Sequence, residues 1–236
     1  MSDQDEDTHE PEIDHPEPAA GIVMEAAPRT GPPWEATGPT GPRFIETVKQ
    51  VLLSPTALFR NMRREGGYGG PLTFGVIGST IGFAIGMLMQ LAIALLTPGQ
   101  GAMNRPVIGV FALMFLLFLP FLLGLSLLIW AALYHLVLRM LGAARYPFET
   151  TFRVVAYAFG STSLLQIFPV CGGLIGFIDS IVVSIIGLTQ THGVSTAKAT
   201  IAVLVPMLIL TLLAFMALAA AISTHTGALP GLSQAL

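Results

Sequence analysis

RVVAYAFGSTSLLQIFPVCGGLIGFIDSIVVSIIGLTQTH, residues Arg153 to His192, holds two apolar runs joined by Pro169, Gly172 and Gly173. From Val154 to Val170 the polar groups are hydroxyls, one phenol and Gln166; from Leu174 to Thr191 the one ionisable group is Asp179. Each run suits one bilayer crossing, which takes about 20 residues at full thickness and tolerates a few fewer. A connection this short makes the two segments antiparallel neighbours, so the stretch predicts a transmembrane helical hairpin.

Composition agrees. Of 236 residues, 53% are hydrophobic and 11% charged, against about 25% charged in soluble domains, so the chain is expected to be an integral membrane protein. A single cysteine, Cys171, excludes an intrachain disulfide and a cysteine zinc cluster. Residues 1 to 42 hold ten of the fourteen acids and one base, Arg29, whereas the remainder holds ten bases and four acids. That first segment is acidic and rich in proline, buries too little to offset its ordering entropy, and is predicted to be a disordered cytoplasmic tail. His9 and His15 read as solvated tail histidines, and the acidic amino terminus gives no cleavable signal. Trp34, in GPPWE, is expected at the membrane interface.

Between Arg43 and Glu65 the periodicity turns helical. Phe44, Val48, Val51 and Leu52 share one face, and Ser54-Pro55 reads as an N-cap followed by proline at the first position of a second helix. With Arg60, Arg63 and Arg64 beside an apolar face, residues 43–65 predict amphipathic helices on the membrane surface, near anionic headgroups. GGYGG (Gly66–Gly70) reads as a hinge. The membrane region, 71–222, then divides into spans of about 71–96, 106–138, 154–170, 173–191 and 200–222. Gly78, Gly82 and Gly86 allow close helix approach in the first span, and Pro120 lies inside the second, read as one kinked or tilted helix. Residues 139–152 are expected to form a loop. The fold class is thus all-α and polytopic, with five transmembrane helices. Ten of the eleven Lys and Arg residues fall on one side of this topology, which predicts a cytoplasmic amino terminus, an extracytoplasmic carboxyl terminus and residence in an inner cell membrane.

Polar residues in spans mark candidate sites. Counted outward from Cys171, Asp179 and Ser163 lie at equal depth, about 12 Å from the hairpin tip at 1.5 Å per residue. Thr162, Ser163 or Gln166 is therefore expected to donate a hydrogen bond to Asp179 and clamp the hairpin. Tyr134, His135, Arg139, Tyr157 and His192 fall near cytoplasmic helix ends and form a second candidate cluster. GSTS (Gly160–Ser163) with His192 and His225 resembles a serine nucleophile and base only in composition, because the hydroxyls lie deep and His192 lies at a helix end. HExxH, P-loop and dinucleotide glycine motifs are missing from the sequence, and neither a cofactor nor a metal is expected.

PWE at Trp34, FIETVKQVLLSPTALFRNM, GGPLTFG, RYPFETTFRVVAYAFG, IFPVCGGLIG and GLTQTHGVSTAKA together resemble the Yip (Ypt-interacting protein) domain family, in its bacterial branch. The resemblance covers residues 34 to about 210. It implies five membrane helices, a cytoplasmic amino terminus and a non-enzymatic protein. Eukaryotic relatives associate with small Rab-type GTPases in membrane trafficking, but no GTPase-binding motif can be matched here, and such a partner is not expected. The resulting expectation is a non-catalytic membrane protein, open to homo-oligomerisation, that organises the lipid membrane or partner proteins through its cytoplasmic tail, with no role for nucleic acid. The alternative is a small transporter or lipid-handling protein that uses the polar hairpin around Asp179.

Overall fold

The computed structural model describes residues 29–96, 105–168 and 171–227. Among them the chain is helical, with seven α-helices: α1 Thr40–Leu53, α2 Pro55–Asn61, α3 Gly69–Leu96, α4 Arg105–Met140, α5 Phe148–Thr162, α6 Gly172–His192 and α7 Thr196–Gly227. Short 3-10 segments cover Pro33–Glu35 and Ser163–Ile167. Residues 1–28 of the acidic tail, most of the loop after the first span, and Pro169 and Val170 at the hairpin tip lie outside the described residues.

Four helices carry windows long and apolar enough to cross a bilayer: Gly69–Ile93, Leu113–Met140, Gly172–His192 and Thr196–Ile222. They present large hydrophobic side chains outward, among them Leu117, Phe121, Leu174, Leu208 and Phe215. In water such a girdle would be unfavourable; in hydrocarbon it is the solvated surface. Helix α4 runs without interruption through Pro120, so the long second run is one helix, as expected.

Helix α5 is the centre. Nearly every residue from Thr150 to Thr162 is buried, because α3, α4, α6 and α1 all pack around it. The glycines explain how. A β-carbon at Gly78 would lie 2.1 Å from the carbonyl oxygen of Gly160, one at Gly82 2.1 Å from that of Ser163, and one at Gly86 2.9 Å from Gln166 Oε1. The four-residue glycine ridge of α3 therefore lies directly on the backbone of α5, and because both numberings rise together the two helices run parallel. On the opposite side, Gly172 faces the Leu165 carbonyl, Gly176 the Thr162 carbonyl and Gly187 the Val154 side chain, so α6 runs antiparallel to α5 over its length. The two helices form the antiparallel pair that the predicted hairpin requires, although α6 and not α5 is among the four helices long and apolar enough to cross a bilayer.

Several sequence expectations need correction. The 139–152 loop is shorter than expected, because α5 begins at Phe148: Pro147 occupies its N-cap position and Glu149 lies in its first turn, where a carboxylate opposes the helix dipole. The segment expected as one α-helical span over 154–170 is α-helical only to Thr162 and continues as the 3-10 segment. Residues 33–35, expected in a disordered tail, form an ordered turn. Much of the apolar face of α1 and α2 is taken up by the bundle: Val51, Phe59 and Met62, the last just after α2, are fully buried, with Phe59 against Gly187 of α6, while Ile45 and Leu53 of α1 stay exposed. Burying a Phe or Met in this way contributes about 1.5–3 kcal/mol relative to water. Pro55 does open α2, though the Ser54 side chain makes no cap hydrogen bond.

Candidate functional site

Glu149, Arg153 and Tyr157 follow one another at four-residue spacing, which places them on one stripe of α5. The stripe faces the 3-10 turn Pro33–Glu35, a strap at the end of the bundle where α1 packs. Arg153 is 1% exposed and Glu35 11%. Arg153 Nη2 donates to both carboxylate oxygens of Glu35, and Tyr157 Oη donates to Glu35 Oε1 at 2.6 Å. Arg153 Nη1 donates to the Gly67 carbonyl at 2.9 Å, while the Gly67 amide donates to Glu149 Oε1 at 2.7 Å. Gly67 has φ +90°, a conformation that favours glycine, so the expected hinge is tied down by the stripe. Within this group Arg153 Nε is buried without a partner among the described residues.

Trp34 anchors the strap beside this pair. Its ring packs on Phe44 and Phe74, at 6.0 and 5.7 Å between centroids, and its Nε1 donates to the Gly70 carbonyl at 2.8 Å. Its backbone amide donates to Thr47 Oγ1 at 2.8 Å, and Arg43 Nη1 donates to its carbonyl at 2.9 Å. Phe74 in turn lies 5.0 Å from the Tyr157 ring. The indole is thus half-buried against α1 and α3. Glu35 thus binds α5 directly, whereas Trp34 is held by α1 and α3.

The cluster expected at the cytoplasmic helix ends divides rather than converging. Tyr157 belongs to the Glu35–Arg153 group, Arg139 is exposed, and Tyr134 is buried against Trp130 at 5.8 Å. His135 and His192 are joined by a residue that the sequence reading did not single out: Thr151 Oγ1 lies 2.9 Å from His135 Nδ1 and 3.0 Å from His192 Nε2. One hydroxyl can donate to one ring and accept from the other. His192 thereby engages Thr151 and not the GSTS hydroxyls, while the His225 side chain lies outside the described residues. Of the three surface arginines, Arg60 and Arg63 are exposed, but Arg64 is taken up by the fold: its Nε donates to the Thr191 carbonyl at 3.2 Å, and its guanidinium lies 3.6 Å above the Tyr146 ring. A cation at the last carbonyls of α6 is favoured by the helix dipole.

The expected clamp on Asp179 is not made. Thr162 Oγ1 donates to the Ala158 carbonyl at 3.0 Å and Ser163 Oγ to the Phe159 carbonyl at 2.6 Å, each within its own helix, and the Gln166 amide lies along Gly86. Hydroxyls in helices commonly bond back in this way. The side of α6 that meets α5 is Gly172, Gly176, Ser180, Val183 and Gly187, and Asp179 stands beside that stripe, half-buried, with Oδ2 lacking a partner among the described residues. Among those residues no three His, Cys, Asp or Glu side chains converge as metal ligands.

Outward-facing apolar helices around a buried polar centre define a multi-pass integral membrane protein. The model of the Yip1 domain matches residues 49–218, and the chain belongs to that family of non-enzymatic membrane proteins. The matched region holds α5 with Arg153, whereas the strap with Glu35 precedes it. No curated protein and no solved structure matches the chain.

Proposed function

We propose that the chain is a non-catalytic organiser of membrane or partner proteins, anchored by five crossings and acting through its cytoplasmic segment. One observation carries this reading: the strongest binding group of the centre, the Arg153 guanidinium, is closed by Glu35 and the Gly67 carbonyl, so the polar core serves to hold the strap rather than to receive a substrate. Affinity purification from native membranes tests it. Partners captured by the full chain should be lost when residues 1–28 are removed, although the strap remains. Equal capture by the full and shortened chains would contradict a role for the tail.

The fifth crossing is α5. Its fifteen residues span only about 22 Å at 1.5 Å per residue, but the 3-10 segment adds about 10 Å at 2.0 Å per residue, close to the hydrocarbon thickness of about 30 Å. Its glycine contacts with α6 at both ends support a full traverse. With the basic residues at the end where α1 and α2 pack, the amino terminus is cytoplasmic. A reporter in the Gly142–Ala144 loop should report cytoplasm and one after Leu236 the opposite side; both on one side would sink the five-crossing arrangement.

Asp179 favours a second reading, a transporter, because a half-buried carboxylate oxygen without a partner is the usual mark of an ion or proton path in a membrane. Substrate flux in proteoliposomes that Asp179→Asn abolishes would put that reading first.

A further inference from the structure

Two clefts open at the far end of the bundle, where α5 gives way to the 3-10 segment. One, of about 320 Å³, lies between α3, α5 and α6; the other, of about 290 Å³, continues toward the outer parts of α3 and α4. They share Phe83, Gln166 and Gly173, so they form one groove. Its size falls in the range of ligand sites, about 300–1,000 Å³. Phe83, Phe168 and Phe177 along it are 42–54% exposed, so in a membrane the groove opens sideways to lipid.

The lining is apolar and aromatic with a few uncharged polar groups at one place. The hydroxyl hydrogens of Thr162, Ser163 and Ser180 go to carbonyls of their own helices, at 3.0, 2.6 and 2.7 Å, so their oxygens keep acceptor capacity only. Gln166 adds an amide that both donates and accepts. None of the described lining residues carries a charge, so a phosphate or ammonium buried here would lose its hydration without a counter-ion. An interrupted helix within a membrane is tolerated where it is covered by protein or lines a cavity, and the 3-10 segment forms this wall.

We propose that this groove binds one membrane lipid, its acyl chain along Phe83, Phe159 and Phe177 and its uncharged hydroxyl, ester or amide end at Gln166 and the neighbouring hydroxyls. The site goes beyond the organising role and depends only on the chain's place in the membrane. A different partner reading for the tail would leave it standing.

Gly173 makes the site testable. A β-carbon built there meets nothing within 4 Å, so a larger side chain enters open volume at a position shared by both clefts. The full chain in phosphatidylcholine nanodiscs is photolabelled with a diacylglycerol carrying a diazirine in one acyl chain, and labelled peptides are mapped by mass spectrometry. Label should concentrate on the α3 and α5–α6 peptides that contain Phe83 and Gln166. Gly173→Phe should lower it roughly tenfold, equivalent to about 1.4 kcal/mol of binding, while Leu213→Phe on the outer face of α7 should leave it unchanged. Phosphatidylglycerol with the same diazirine chain should label the groove less than diacylglycerol, and Gln166→Leu, which removes the hydrogen-bonding amide, should lower the diacylglycerol label there even if Gly173→Phe fails to insert. Label spread evenly over α4 and α7, a Gly173→Phe signal equal to wild type in an intact protein, no head-group preference, or cross-links showing a second copy seated in the groove would each overturn the proposal.

Discussion

Arg153→Ala is expected to destabilise the folded chain by about 3–5 kcal/mol, the cost of leaving one member of a buried ion pair uncompensated. The magnitude rests on burial: with Arg153 1% and Glu35 11% exposed, water cannot re-solvate the carboxylate without opening the strap. The loss should extend beyond the pair, since Tyr157 and Gly67 share its hydrogen bonds. Unfolding in mixed micelles, followed by circular dichroism, measures it. A change of less than about 1 kcal/mol, the ordinary size for exposed ion pairs, would show that the strap does not seal the centre.

Gly78→Ala should be nearly as damaging although it adds one methyl group. That methyl would lie 2.1 Å from the Gly160 carbonyl oxygen and 2.7 Å from its carbon, backbone atoms that cannot turn aside as a side chain would. Overpacking a core typically costs about 1–3 kcal/mol and sometimes more, and here relief requires separating α3 from α5 over the whole ridge. Gly41→Ala, where the new methyl meets nothing within 4 Å, is the control and should change stability by only a few tenths of a kcal/mol. Equal stability of the two variants would mean that α3 does not lie on α5 as described.

Much of this architecture was legible in the sequence. Long apolar runs mark helices α3, α4, α6 and α7, and the spacing of Gly78, Gly82 and Gly86 correctly announced a close helix contact, because both signals are local and depend on composition and period. The centre was harder to read. Arg153 looked like the boundary of an apolar run, since an unpaired charge is not expected inside one, and Glu35 looked like one more acid of the tail. Their pairing spans 118 residues, and no local pattern encodes a contact at that distance. A partial signal did exist: Glu149, Arg153 and Tyr157 at four-residue spacing form a polar stripe, and a polar stripe on an otherwise apolar helix asks for a partner. The Asp179 clamp failed for a different reason. Equal depth in a hairpin does not ensure equal azimuth, and the side of α6 that meets α5 is the glycine side.

The same distinction explains α1 and α2. Their amphipathic pattern requires an apolar neighbour but does not say whether it is lipid or protein, and Phe59 against Gly187 shows that protein supplies it. Sequence periodicity specifies that a face is buried; tertiary packing decides against what. Only Arg60 and Arg63 of the basic trio remain outward for a membrane or a partner.

The central claim is that Glu35 and Arg153 hold the strap to α5 as one unit, and a double-mutant cycle tests it most directly. Unfolding free energies are measured for the wild type, Glu35→Gln, Arg153→Leu and the double variant in the same micelles. The account predicts that the double variant loses clearly less than the sum of the single losses, with a coupling energy of about 1–3 kcal/mol, in the range for residues in one network. Additive losses, within about 0.3–0.5 kcal/mol, would contradict it.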